Sequence, residues 1–164
     1  MKQLVKQAIK GNKDAFVALI QENTQDMYKV ARSILHNEED VADALQETIT
    51  VCFEKIHTLE KPQFFKTWLT RILINQCTNI IRKGQREQTS DTYVFEIGST
   101  EQIDHWEFLH ILQELDEKYR LVIILYYVQE FRIKEIASLL GLTETAVKSR
   151  LKRGREKLRK IYEW

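Results

Sequence analysis

Residues 132–158, RIKEIASLLGLTETAVKSRLKRGREKL, constrain the chain more than any other stretch, because they fit two short helices crossing at a tight turn. Ile136, Ala137 and Leu140 make one face of the first helix, with Ala137 small where the helices cross. Gly141 stands where the turn needs a positive φ, and Thr143 can cap the next helix. Val147, Leu151, Gly154 and Leu158 then recur at spacings of four, three and four, which predicts a narrow buried stripe against the first helix. Thr145, Ser149, Lys152 and Glu156 lie opposite that stripe, flanked by Lys148, Arg153 and Lys160. A recognition helix lays such a surface in the major groove of DNA. An ordinary amphipathic hairpin with a solvated basic face is the competing interpretation. The charge distribution favours DNA: residues 143–164 hold eight Lys/Arg against three Asp/Glu, while 104–142 hold four against seven.

Within that helix, Ser149, Lys152 and Arg153 are placed to meet base edges, with Thr145 beside them on the same DNA-binding surface. Lys148, Arg155 and Arg159 sit nearer the helix edge, where phosphates approach. Arg150 projects close to the buried stripe and is expected to be structural.

The whole 164-residue sequence, 43% apolar, has room for one large or two small helical cores. No apolar run approaches the ~20 residues of a membrane span, and the opening Met1-Lys2-Gln3-Leu4 leads into an amphipathic pattern, so a cytoplasmic location is expected. Cys52 and Cys77 stand alone and His36, His57, His105 and His110 are scattered, which gives no metal or cofactor site and predicts reduced core thiols. No phosphate loop and no nucleophile–base set offers an enzyme a site. A single proline, Pro62, and the absence of sustained apolar–polar alternation predict an all-α fold.

Helices are expected over Leu4–Ile9, over Asp14–Leu35 with Phe16, Leu19, Ile20, Met27, Val30 and Ile34 inside, and over Glu38–Ile56 with a stripe of Val41, Leu45, Ile49, Cys52 and Ile56. Asp43, Gln46, Glu47, Thr50 and Glu54 project from the other side of the third. After a loop over His57–Pro62, a fourth helix, Gln63–Lys83, buries Phe65, Leu69, Ile72 and Ile80, and Trp68 is assigned to the core with them. These four helices make a first domain, 1–83. Residues 84–103 are polar, with one basic against four acidic side chains, and read as a flexible linker. Two further helices, Asp104–Leu115 and Asp116–Val128, with Asp116 able to cap the latter, supply the core of a second domain, 104–164.

Three motifs in chain order carry a family resemblance. Asp43-Ala-Leu-Gln-Glu47 resembles D-x-x-Q-E, Phe65-Lys-Thr-Trp-Leu69 with Arg71-Ile and Asn75 resembles F-x-x-W-L-x-R-I-x-x-N, and Lys134-Glu-Ile-Ala137 through Val147-Lys-Ser-Arg150 resembles K-E-I-A…V-K-S-R. Together they resemble regions 2 and 4 of the extracytoplasmic-function (ECF) sigma factors of the bacterial sigma-70 family. The sequence departs from the pattern at Leu115-Asp116, where many relatives have Leu-Pro, and at Asn79, where an Asp is common.

The resemblance implies a subunit that directs core RNA polymerase to promoters, in a stress response, and is restrained by an anti-sigma factor. It implies that Asp43, Gln46 and Glu47 dock on the β′ clamp helices, and that the second domain reads double-stranded minus-35 DNA. It also implies that the first domain opens the minus-10 element and holds it single-stranded. There Lys61, Lys66 and Arg71 suit phosphates, Phe64 offers a stacking platform, and Asn75 can bond a base edge. A stand-alone helix-turn-helix regulator would explain 104–164 and leave the first domain idle; a helical adaptor would explain the acidic helix and leave the basic one idle.

Overall fold

Asparagines at the two helix starts open the N-terminal half. In the computed structural model, which describes residues 1–86 and 110–162, the Asn12 side chain accepts from the Ala15 N–H at 3.0 Å and the Asn37 side chain from the Asp40 N–H at 2.8 Å. Behind the second cap, Glu38, Glu39 and Asp40 place three carboxylates in the first turn, where the helix dipole favours them. The resulting helices are α1 (Lys2–Ile9), α2 (Lys13–Ile34), α3 (Glu38–Lys55) and α4 (Phe65–Arg86). Two 3₁₀ turns, Ile56–Thr58 and Pro62–Phe64, join α3 to α4 where a plain loop was expected, with Pro62 opening the second turn. The described residues contain no strand.

The chain divides into two compact units, Met1–Ser90 and Asp91–Trp164. In the first, α2 packs against α1, α3 and α4, and α3 against α4. All six α2 residues expected inside are buried. The stripe of α3 differs from expectation: Val41, Ala44, Thr48 and Cys52 are buried, while Leu45 and Ile49 are half-buried. Thr48 fits because its hydroxyl donates to the Ala44 carbonyl at 2.6 Å, which leaves a methyl to pack. On α4 the buried row is Phe65, Leu69, Leu73 and Cys77, and the expected Ile72 and Ile80 are only half-buried. Burial pushes the Cys52 thiol up to about 12, so it stays a neutral core group, as expected from its isolation. At the α2–α3 corner Glu38 accepts from the Tyr28 hydroxyl at 2.7 Å and pairs with Arg32 at 3.3 Å. Burial and the Glu38 carboxylate both raise the Tyr28 hydroxyl above its ordinary value.

Helix α4 continues through Gly84 to Arg86, past the expected start of the linker; the linker's 87–103 and the expected helical start at 104–109 lie outside the described residues. In the second unit residues 110–113 are helical, followed by α5 (Glu117–Ile123), a π-helical turn over Ile124–Val128, α6 (Ile133–Leu140) and α7 (Glu144–Tyr162). Leu121 to Leu125 are all buried. Glu130 follows at φ 58, a non-glycine residue held left-handed while the Gln129 and Phe131 N–H groups bond back to Ile124 and Leu125 at 3.0 Å.

Helices α6 and α7 form the expected crossing pair. Gly141 adopts φ 64, ψ 34, and the Ala146 N–H donates to Thr143 Oγ1 at 3.1 Å. Ile136, Ala137 and Leu139 are buried, whereas Leu140, expected on that face, is half-buried. Val147, Leu151 and Gly154 are buried and Leu158 half-buried. The stripe does not rest on α6 alone. A Cβ on Gly154 would stand 2.7 Å from Ile123 Cδ1 and 3.5 Å from Tyr119 Cβ, so the C-terminal part of the stripe lies on α5. Gly154→Val should therefore destabilise the second unit by about 1–3 kcal/mol through overpacking against fully buried Ile123. Urea unfolding followed by circular dichroism measures this; an unchanged midpoint would show that Ile123 has room to move.

Candidate functional site

Seating the Val147–Leu151–Gly154 stripe turns the opposite side of α7 outward. Thr145, Lys148, Lys152, Arg153 and Arg155 are exposed, as are Glu156, Arg159 and Lys160, and Ser149 is half-buried. The base-facing and phosphate-facing groups expected from spacing thus share one accessible surface, long enough at 19 residues to lie along a groove. Arg150 is half-buried and lines a groove of about 460 Å³ with Asp116, Glu117 and Leu121, in keeping with the structural place expected for it.

Both flanks of α7 are held from the preceding helical segment, a feature periodicity within α7 could not show. On one flank, burial pushes the Tyr119 hydroxyl up, but the Arg153 hydrogen bond and the Lys118 and Arg153 charges outweigh it and hold the group below its ordinary value. The Lys118 and Lys157 ammonium groups each stand 5.0 Å from the Tyr119 ring centroid. Lys157 also donates to the Asp116 carboxylate at 3.0 Å. Asp116 is the N-cap of α5, but its side chain makes no capping bond, because that carboxylate is turned to α7 instead. Arg153 is exposed beside this ring, with guanidinium donors to spare. On the other flank, Arg155 Nη1 donates to the Tyr127 hydroxyl at 2.9 Å.

In the first unit, Asp43, Gln46 and Glu47 are all exposed on α3, opposite buried Val41, Ala44 and Thr48. The expected minus-10 residues are only partly brought together. Lys61 and Phe64 are exposed in the turn before α4, with the Lys61 ammonium 6.0 Å from the Phe64 ring centroid. Arg71 and Asn75 are exposed one helical turn apart, whereas Lys66 is half-buried and by helical spacing lies on another side of α4. Trp68, assigned to the core from sequence, is half-buried with its ring centroid 6.0 Å from that of Phe65. Its spacing of three to Arg71 and seven to Asn75 puts it on the same side of α4 as those residues.

Described residues that are helical in both units, with a helix-turn-helix and its outward cationic surface in one and an exposed acidic face in the other, fit the class of helix-turn-helix DNA-binding proteins. Family profiles agree: Sigma-70 region 2 matches residues 19–87 and Sigma-70, region 4 matches residues 105–158. The chain belongs to the ECF class of the sigma-70 family, the transcription initiation factors that direct RNA polymerase to promoters. It is 29% identical over 150 residues to the RNA polymerase sigma factor SigV of Bacillus subtilis, covering 90% of each chain. It is also 29% identical over 181 residues to the ECF RNA polymerase sigma factor SigW of the same organism, covering 98% of this chain and 95% of SigW. A solved structure of CnrH, the name of a Cupriavidus metallidurans sigma factor, in complex with the cytosolic domain of CnrY superposes with a TM-score of 0.71 at 27% identity. It covers 99% of this chain and 96% of the other. Among the described residues, no helix is long and apolar enough to cross a membrane.

The Lys157 hydrogen bond and charge lower the Asp116 carboxyl below its ordinary value. Its contribution to stability is therefore fully present above the ordinary carboxylate pKa, about 3.9, and is lost as pH falls through the lowered value. In an NMR pH titration Lys157→Gln should move the Asp116 midpoint up toward that ordinary range. The same midpoint in both proteins would remove Lys157 as the cause.

Proposed function

We propose that the two units act on one promoter while bound to core polymerase in the cytoplasm. Helix α7 lies in the major groove of the minus-35 duplex. The exposed α3 face of Asp43, Gln46 and Glu47 docks on the β′ clamp helices. The observation that carries this reading is the outward cationic surface of α7 on a buried seat, joined in one chain to a separate unit whose exposed helix is acidic. Carboxylates and an amide offered to a basic partner give association rate and register more than raw affinity, which suits a subunit that binds and leaves. Ser149, Lys152 and Arg153 read bases with Thr145 beside them, while Lys148, Arg155 and Arg159 meet phosphates.

The first unit melts the minus-10 element and holds its non-template strand. Phe64 supplies a stacking surface, Asn75 a base-edge partner, and Lys61, Lys66 and Arg71 charge for the backbone, with Trp68 beside Arg71 and Asn75 as a further aromatic surface. Opening costs a few kcal/mol per base, and contacts available only to the single strand, roughly 1–3 kcal/mol for each stacked base, can offset it without nucleotide hydrolysis. The chain itself catalyses no step. The sequence resemblance supports an anti-sigma factor as the partner that restrains it, and so does the solved complex of CnrH with the cytosolic domain of CnrY, in which a related sigma factor is bound to another protein.

Two experiments test these faces. Gln46→Ala combined with Glu47→Lys should weaken core-polymerase binding about tenfold while leaving the fold intact, since both positions lie off the buried stripe; equal affinity for mutant and wild type would sink the docking face. For DNA, transcription by holoenzyme from a library of minus-35 variants should separate base from phosphate contacts. Arg153→Ala should broaden the accepted set by about 1–3 kcal/mol at one position, and Lys148→Ala should lower output uniformly. Unchanged preference after Arg153→Ala would overturn the assignment of the reading face.

A further inference from the structure

Tyr127 is out of place as a core residue. It follows the buried run Leu121–Leu125, yet it is 49% exposed, and it sits in the π-helical turn Ile124–Val128. A π turn shifts the register by one residue and often marks a functional position. Here it delivers an aromatic hydroxyl to the edge of α7. The Tyr126 ring holds that side chain edge-to-face, centroids 4.9 Å apart.

The chemistry at that edge is incomplete without an anion. Arg155 can only donate, so at 2.9 Å the Tyr127 oxygen is the acceptor and keeps its own O–H hydrogen, which has no acceptor among the described residues. Accepting from a cation makes that hydroxyl a stronger donor. No carboxylate among the described residues pairs with Arg155. Lys148, Lys152 and Arg159, all exposed, line the same edge at helical spacings from Arg155, and the carboxylate of Glu144 joins them only at the opening turn of α7. A row of cations along one helix edge matches the wall of a DNA groove. Two adjacent donors match the two non-bridging oxygens of one phosphodiester.

We propose that Tyr127 and Arg155 form a two-donor clamp on a single backbone phosphate of the minus-35 duplex, which makes Tyr127 a DNA-contact residue contributed from outside the helix-turn-helix. The clamp rests on α7 being the minus-35 reader. Its test uses the full chain assembled with core polymerase and measures affinity for promoter duplexes that differ only at minus-35. Tyr127→Phe keeps the ring and removes one donor. It should weaken binding about threefold to tenfold on every sequence, with the order of preference and the thermal midpoint unchanged and the salt slope unaltered, because no charge is lost. Arg155→Ala should lower that slope by about one. Adding Tyr127→Phe to Arg155→Ala should change affinity less than twofold, since the two act as a unit. Wild-type affinity in Tyr127→Phe, or a full additional loss in the double variant, overturns the clamp. If Lys148→Ala and Arg155→Ala also leave binding intact, the reading of α7 fails with it; if those two weaken binding and Tyr127→Phe does not, the clamp alone fails.

Discussion

The contact of Gly154 with Ile123 is the constraint on which the DNA-facing half depends. A helix that carries eight cations between residues 143 and 164 has little apolar surface of its own, so its position is set by a seat only a few side chains wide. Removing the Cβ at Gly154 lets α7 approach α5 closely enough for Val147 and Leu151 to be buried as well. The glycine costs about 1 kcal/mol of helix propensity relative to alanine. That cost is borne where it fixes the roll of the helix, and the roll decides which cations face outward.

The first unit solves the same problem differently. Its α3 buries Ala44 and Thr48, small side chains that let α2 and α4 close over the helix while Asp43, Gln46 and Glu47 remain in solvent. The acidic first turn is then tied down at its start, where Glu38 accepts from Tyr28 and pairs with Arg32. A charged docking face can thus be presented on a helix whose buried side contributes modest apolar area, because the corner and the cap supply the orientation that a larger stripe would give elsewhere.

Much of this was legible in the sequence. The all-α class, the α2 core, the Gly141 turn and the Thr143 cap follow from periodicity and from residues with one local use. The errors share a cause. Favouring Leu45 and Ile49 over Ala44 and Thr48, or Ile72 and Ile80 over Leu73, ranks positions by side-chain hydrophobicity, whereas burial follows the face nearest the neighbouring helices. Small residues and a threonine bonded to its own helix win that place. Asp116 is a different case: a residue well suited to capping is used for an ion pair 41 positions away, and local sequence carries no sign of that partner. Trp68, assigned to the core from its spacing to Phe65 and Ile72, does pack against Phe65 but is only half-buried.

The long-range contacts missed from sequence also change what the recognition helix can do. Asp116 holds Lys157 on one flank and Tyr127 holds Arg155 on the other. A free arginine or lysine loses up to about 2 kcal/mol of side-chain entropy when it is ordered on a ligand. Where a tyrosine or carboxylate of the same unit has already ordered the side chain, part of that loss is met in folding and less of it falls on binding. Lys148, exposed and without such a partner among the described residues, retains more freedom and suits phosphates whose positions vary with groove width. The division of α7 into the anchored Arg155 and Lys157 and the freer Lys148 is therefore one between side chains whose geometry is preset and a side chain that adapts, and it originates in the Asp116 N-cap and the π turn, outside the helix that meets the DNA.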